Sequence, residues 1–98
     1  MITTKQRAKL RSIASTYEPI MQIGKEALKE QSITQIEEML QARELVKIKV
    51  LRNCEEQPKD IATKVQNLIN CEVVQVIGSI FVLYKKSTKK GIKHIDLN

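Results

Sequence analysis

Apolar and polar positions follow two different periods along the chain, and the changes of period mark its elements. Leu10, Ile13, Ala14 and Tyr17 recur at helical spacing. Thr3-Thr4-Lys5-Gln6 ahead of them offers a Thr-x-x-Gln capping box, so a first helix is predicted over about residues 4–16. Pro19 closes it off, because the residue before a proline is pushed toward extended geometry. Ile20 to Ile23 reads as a short strand ended by Gly24. Beyond it, Ile33, Ile36, Met39 and Leu40 form one face of a second amphipathic helix, about Glu30 to Arg43, with Glu37, Glu38 and Gln41 largely opposite. Met39 is read as core filler.

Leu45 to Leu51 alternates apolar and basic residues, which puts Val46, Ile48 and Val50 on one strand face and Lys47 and Lys49 on the other. Those two lysines are either a solvated face or part of a basic patch, and alternation does not decide between these. Pro58 suits the first turn of a third helix, where a missing amide costs nothing. Ile61, Val65, Leu68 and Ile69 supply its buried stripe, and Asn70 can end it in left-handed geometry. Cys71 to Ile77 and Ile80 to Tyr84 are two apolar runs joined by Gly78-Ser79, the pattern of a hairpin. Both runs are too apolar for a sheet wet on one side, so the first helix is expected to cover part of its second face. After Tyr84 a lysine-rich tail is expected, with at most a short added strand at Ile92 to Ile95.

The order is therefore α-β-α-β-α-β-β, an α/β sandwich with a mixed four-stranded sheet, since helices join the first three strands and a hairpin adds the last. At 98 residues the chain fits one domain, which buries roughly two-thirds of its unfolded surface. No apolar run approaches the roughly 18 residues of a membrane span, and no charged-then-apolar leader precedes the first helix. Cys54 and Cys71 match no zinc spacing and read as two reduced thiols. A cytoplasmic, monomeric protein without metal or cofactor is expected.

Charge narrows the function. Seventeen Lys and Arg against eleven Asp and Glu give a formal +6, and the excess is segregated. Lys5, Arg7, Lys9 and Arg11 stand without an acid in the first eleven residues; Lys85, Lys86, Lys89, Lys90 and Lys93 face only Asp96 at the other end. Segregated positive charge is the footprint of a polyanion, most often nucleic acid, because neutralised phosphates release condensed counterions. Gly24-Lys25, between a strand and a helix, adds a junction suited to a phosphate.

Catalysis finds no constellation. Glu37 and Glu38 are adjacent and diverge on a helix, and neither cysteine has a histidine that spacing places nearby. His94, the lone histidine, is read as a surface residue with no partner. Tyr17, Phe81 and Tyr84 each sit in an apolar pattern that assigns them to the core, so base stacking is expected to be minor.

Thr4-Lys5-Gln6 before a basic helix, Gly24-Lys25 after a strand, Glu44-Leu45-Val46-Lys47-Ile48-Lys49-Val50, and Val74-Gln75-Val76-Ile77-Gly78 with Val82-Leu83-Tyr84 together resemble the YhbY-like family of stand-alone CRM domains (chloroplast RNA splicing and ribosome maturation). The resemblance covers about residues 3–86 and implies a fold similar to the C-terminal domain of translation initiation factor three. It divides the chain into a CRM-like RNA-binding domain, 1–86, and a basic tail, 87–98. It further implies RNA binding and association with the maturing large ribosomal subunit. Members usually carry Gly-x-x-Gly in the loop after the first strand, likened to the phosphate-clamping loop of KH domains. Here the loop is Gly24-Lys25-Glu26-Ala27. An alanine at the second position is strained by about 1 kcal/mol or more if that position needs a positive φ. A second departure is Lys29, where the family tends to have a Thr or Ser able to cap the helix.

The expected function is a protein that contacts ribosomal RNA through backbone phosphates and assists large-subunit maturation. Gly24, Lys25, Lys5, Arg7, Lys9 and Arg11 are the candidate contacts, followed by Lys47, Lys49, Lys85 and Lys86. The alternative is a protein-interaction module that docks on ribosomal or translation proteins, with the lysines serving solubility.

Overall fold

The structure, a computed structural model, describes residues 2–97. Its elements run α1 (Thr4–Ala14), β1 (Met21–Ile23), α2 (Glu30–Arg43), β2 (Leu45–Val50), α3 (Pro58–Ile69), β3 (Glu72–Ile77) and β4 (Ile80–Tyr84). The predicted order is observed. α1 is capped as the sequence indicates: Thr3 Oγ1 accepts the Gln6 amide at 3.0 Å, and Gln6 Oε1 accepts the Thr3 amide at 2.9 Å. It ends two residues earlier than predicted, because Ser15 and Thr16 turn the chain with their hydroxyls on the Ser12 and Ile13 carbonyls. α3 starts on Pro58 and stops at Asn70, whose φ of 63° is left-handed.

The strands form one sheet in the order β1-β2-β4-β3. β1 is parallel to β2, while β4 is antiparallel to both β2 and β3. The hairpin thus folds back so that β4, the most thoroughly apolar strand, sits between two neighbours. Phe81, Val82 and Leu83 are fully buried there, each stabilising by roughly 1.5–3 kcal/mol.

Alternation sends the two faces of the sheet to separate cores. Val46, Ile48, Val50, Phe81 and Leu83 meet Ile36 and Leu40 of α2 and Ile61, Val65 and Ile69 of α3. Leu45, Val82 and Tyr84 meet Leu10 and Ala14 of α1, so the first helix does cover the second face. A bulge in β3 completes the fit. Val73 pairs with Leu83 and Gln75 with Val82, leaving Val74 as the extra residue. Val73 therefore packs on the two-helix side, while Val74 is buried under α1. Strict alternation would pair Val74 with Val76; the bulge breaks that period.

The residues after Tyr84 form no strand among those described. They are nonetheless packed: Ile95 and Leu97 lie against the α1 core, and Ser87 is buried. Tyr17, assigned to the core by its spacing, is 39% exposed because the helix ends before it. No helix among the described residues is long and apolar enough to cross a membrane. Cys54 and Cys71 are free thiols, and burial pushes that of Cys71 up to about 11.

Candidate nucleic-acid interface

The strand after Pro19 is only three residues long, and beyond it the chain turns. The Ala27 amide donates to the Gly24 carbonyl at 2.9 Å, closing a turn whose central residues, Lys25 and Glu26, are exposed. Ala27 has φ 54°, so the second position of the loop does need the left-handed region, and this chain fills it with a residue that has a Cβ. Gly24 has no positive φ, and a Cβ built on it would make ordinary contacts at 3.6 Å to Leu51 and 3.8 Å to Asn53. The retained glycine is thus the one the backbone does not require.

α2 begins at Glu30 rather than directly after Lys25, so the helix start is set back from the loop. Lys29 occupies the cap position and supplies no side-chain acceptor; Ser32 Oγ accepts its amide at 3.4 Å. The Lys29 ammonium pairs with the Glu26 carboxylate. The acid of the loop is thereby offset by Lys29, leaving Lys25 as the loop's unbalanced charge. Loop, β1 edge and first turns of α2 enclose a groove of about 530 Å³, whose polar lining includes Gln22, Gln31, Ser32 and Gln35.

Pairing register locates the remaining candidates. Lys49 stands beside Gln22 and opposite Ile80, at the same end of the sheet as the Gly24 loop. Lys47 lies two residues back on the same face, with its ammonium donating to the Tyr17 carbonyl at 3.1 Å. α1 packs over β2, β3 and β4 but leaves Gln22 and Lys49 exposed. Arg11 and Lys47 line a second groove, about 440 Å³, between α1 and the sheet, with Ser12, Ser15 and Gln75. Lys49 pairs on one side with Ile80, which lines the Arg11–Lys47 groove, and on the other with Gln22, which lines the loop groove, so the register sets it between the two. Arg52, which follows β2 at this end beside Gly78 and Ser79, was not singled out by sequence; the antiparallel pairing of β2 with β4 that brings it there joins distant residues and has no local signature.

Other candidates fall elsewhere. Arg7 sends its guanidinium to the carbonyls of Val73 and Val74 at the bulge, the latter at 3.4 Å, so it holds α1 on the edge strand. Lys85 donates to the Ile69 carbonyl at 2.9 Å, satisfying the C-terminal end of α3. Lys86, exposed, lies at the far end of β4 from the loop, a strand's length or roughly 20 Å away. Lys5 and Lys9 are on α1, Lys5 exposed and Lys9 half-buried.

A further constellation went unread in the sequence. Glu44, fully buried, accepts the amides of Ser87 and Ile95 at 2.7 Å each and lies 2.6 Å from His94 Nδ1. Burial pushes this carboxyl up, but hydrogen bonds from His94, Ser87 and Ile95 and the charge of His94 outweigh it, holding the group below the ordinary carboxylate value. His94 is a surface residue as expected, yet it has a partner. Tyr84 is buried nearby; burial and the Glu44 charge raise its phenol.

Residues 2–85 match the CRS1 / YhbY (CRM) domain, and the chain belongs to that family. It is 45% identical over 97 residues to a Bacillus subtilis protein, "Probable RNA-binding protein YqeI", with 99% of each chain covered. A Haemophilus influenzae protein named "RNA-binding protein" is 32% identical over 92 residues, covering 94% of this chain and 93% of its own. Among solved structures, the solution structure of Staphylococcus aureus SAV1595 superposes with a TM-score of 0.77 at 41% identity, covering 97% of this chain and all of that one.

Proposed function

We propose that this protein binds ribosomal RNA of the large-subunit precursor through backbone phosphates and assists maturation of that subunit in the cytoplasm. One observation carries the reading: Arg11, Lys47, Lys49 and the Lys25 loop lie along one surface at one end of the sheet. Relatives named as RNA-binding proteins support the ligand class, and the resemblance to ribosome-maturation domains supports the ribosomal setting. Cations spaced over a concave polar surface neutralise phosphates without reading bases. Gly24 brings backbone close to the groove, and Lys25 supplies its charge. Arg7, at the β3 bulge, and Lys85, at the C-terminal end of α3, lie away from this surface and are left out of the proposed contact set.

The test is RNA binding as a function of salt. Displacing about four phosphates gives a slope of about −3 in log K against log salt, and a salt-insensitive affinity overturns the mechanism. Cosedimentation tests the setting: the protein is expected on large-subunit precursor particles and on naked ribosomal RNA. Binding to particles alone would favour docking on a protein, for which Leu68, 66% exposed beside Leu28 and Ile33, is the available apolar surface.

A further inference from the structure

Tyr17 is exposed where its spacing predicts burial, and the surroundings suit a ligand that the phosphate surface does not use. Because α1 stops at Ala14, the chain turns through Ser15 and Thr16 before crossing to β1, with the Tyr17 amide donating to the Ala14 carbonyl at 2.9 Å. The Tyr17 carbonyl accepts from Lys47 Nζ at 3.1 Å, which holds the residue in place. Beside the ring is a cleft of about 290 Å³ lined by Glu18, Ile20, Arg43, Leu45 and Val46. It opens because β1 pairs with β2 only from Ile48 onward, leaving Leu45 and Val46 beyond the end of the short edge strand. Tyr17, Glu18 and Arg43 are exposed around it, Ile20 is half-buried, and Leu45 and Val46, buried on opposite faces of the sheet, bring only the β2 edge to it.

Resting on the RNA reading above, we infer that this cleft receives a single unpaired guanine base of the bound RNA. An extruded base stacks on an exposed aromatic ring and offers its edge to polar groups. Guanine presents two adjacent N–H donors, which suit the Glu18 carboxylate, and two acceptors, O6 and N7, which suit Arg43. Adenine would turn an acceptor toward Glu18. Lys47 lies between the two features: its ammonium is on the Tyr17 carbonyl, and its side chain also lines the groove that holds Arg11. A strand with phosphates on Arg11 and Lys47 therefore has a base within reach of Tyr17. Tyr84 is buried, so Tyr17 is the tyrosine open to stacking.

The experiment compares the full chain on two RNA hairpins of the same stem, one fully paired and one carrying a single bulged guanosine. The bulged hairpin is expected to bind about tenfold more tightly, within the range of base stacking on an aromatic side chain. Tyr17→Ala is expected to erase that preference while leaving affinity for the paired stem unchanged, and Tyr17→Phe to retain it. Glu18→Gln should narrow the preference for a bulged guanosine over a bulged adenosine. The bulged hairpin should also quench tyrosine emission in the parent chain, and Tyr17→Phe should remove the quench. The inference is overturned if the parent binds both hairpins equally or if Tyr17→Ala keeps the preference. If the parent binds neither hairpin, the RNA reading itself fails and the pocket falls with it.

Discussion

His94 Nδ1 lies 2.6 Å from Glu44 Oε2, which joins a residue near the end of the chain to the residue that ends α2. Glu44 has φ 65°, a conformation in which a helix C-terminus ordinarily places glycine or asparagine. The left-handed backbone costs about 1–2 kcal/mol for a residue with a Cβ. The carboxylate offsets that cost, because it takes the Ser87 and Ile95 amides together with His94. Gln41 extends the clasp by accepting the Thr88 amide at 2.9 Å and, through its carbonyl, the Ser87 hydroxyl at 2.5 Å. The segment after Tyr84 is therefore held on the domain, and its lysines are presented from a fixed backbone.

Removing the clasp is expected to destabilise the whole domain, since two amides lose their acceptor where Glu44 is buried. Glu44→Ala should cost about 3 kcal/mol in chemical denaturation. Glu44→Gln, which keeps one acceptor oxygen, should cost less. Glu44→Gly, although it relieves the backbone, should still be less stable than the parent.

Acid should act through the same carboxylate. The folded state holds Glu44 below its ordinary value of 4.5, so the unfolded chain takes up the proton first. The stabilisation is present above that value and is lost as pH falls through the lower, folded one. Melting temperature measured from pH 6 downward should drop less steeply in Glu44→Gln than in the parent.

The loop after β1 makes opposite predictions for its two small residues. Ala27→Gly should raise stability by about 1 kcal/mol, because it removes left-handed strain at φ 54°. Gly24→Ala should change stability by no more than about 1 kcal/mol, since a Cβ there meets only ordinary contacts. A loss of RNA affinity in stable Gly24→Ala would then report close approach of a ligand to the backbone. Thermal melts paired with RNA titrations separate the two effects.

Arg7 and Arg11, one helical turn apart, should separate in the same pair of measurements. Arg7→Ala is expected to lower stability by about 1–2 kcal/mol through loss of its carbonyl contacts at the bulge, with RNA affinity of the folded protein unchanged. Arg11→Glu is expected to leave stability nearly unaltered and weaken RNA binding across sequences, as Lys25→Glu should.

Much of this was legible in the chain itself. The capping box at Thr3 and Gln6, the alternation from Leu45 to Val50, Pro58 and Asn70 bounding α3, and the Gly78-Ser79 turn are local signals, each set by interactions between near neighbours. They determine the elements and their order; the segregated charge points to a polyanion, and the resemblance carried by Gly24-Lys25 and the flanking segments implies an RNA-binding domain. What links distant residues was left to the tertiary structure. Only strand pairing decided that β4 lies between β2 and β3, that Lys49 joins the Gly24 loop while Lys86 goes to the opposite end, and that the bulge sends Val74 under α1. Only packing decided that Tyr17 is exposed, that Arg7 is engaged with backbone, and that Glu44 and His94, separated by half the chain, meet. The physical reason is that hydrophobic period and turn chemistry act within a few residues, whereas a buried carboxylate is stable only where the fold brings it distant donors.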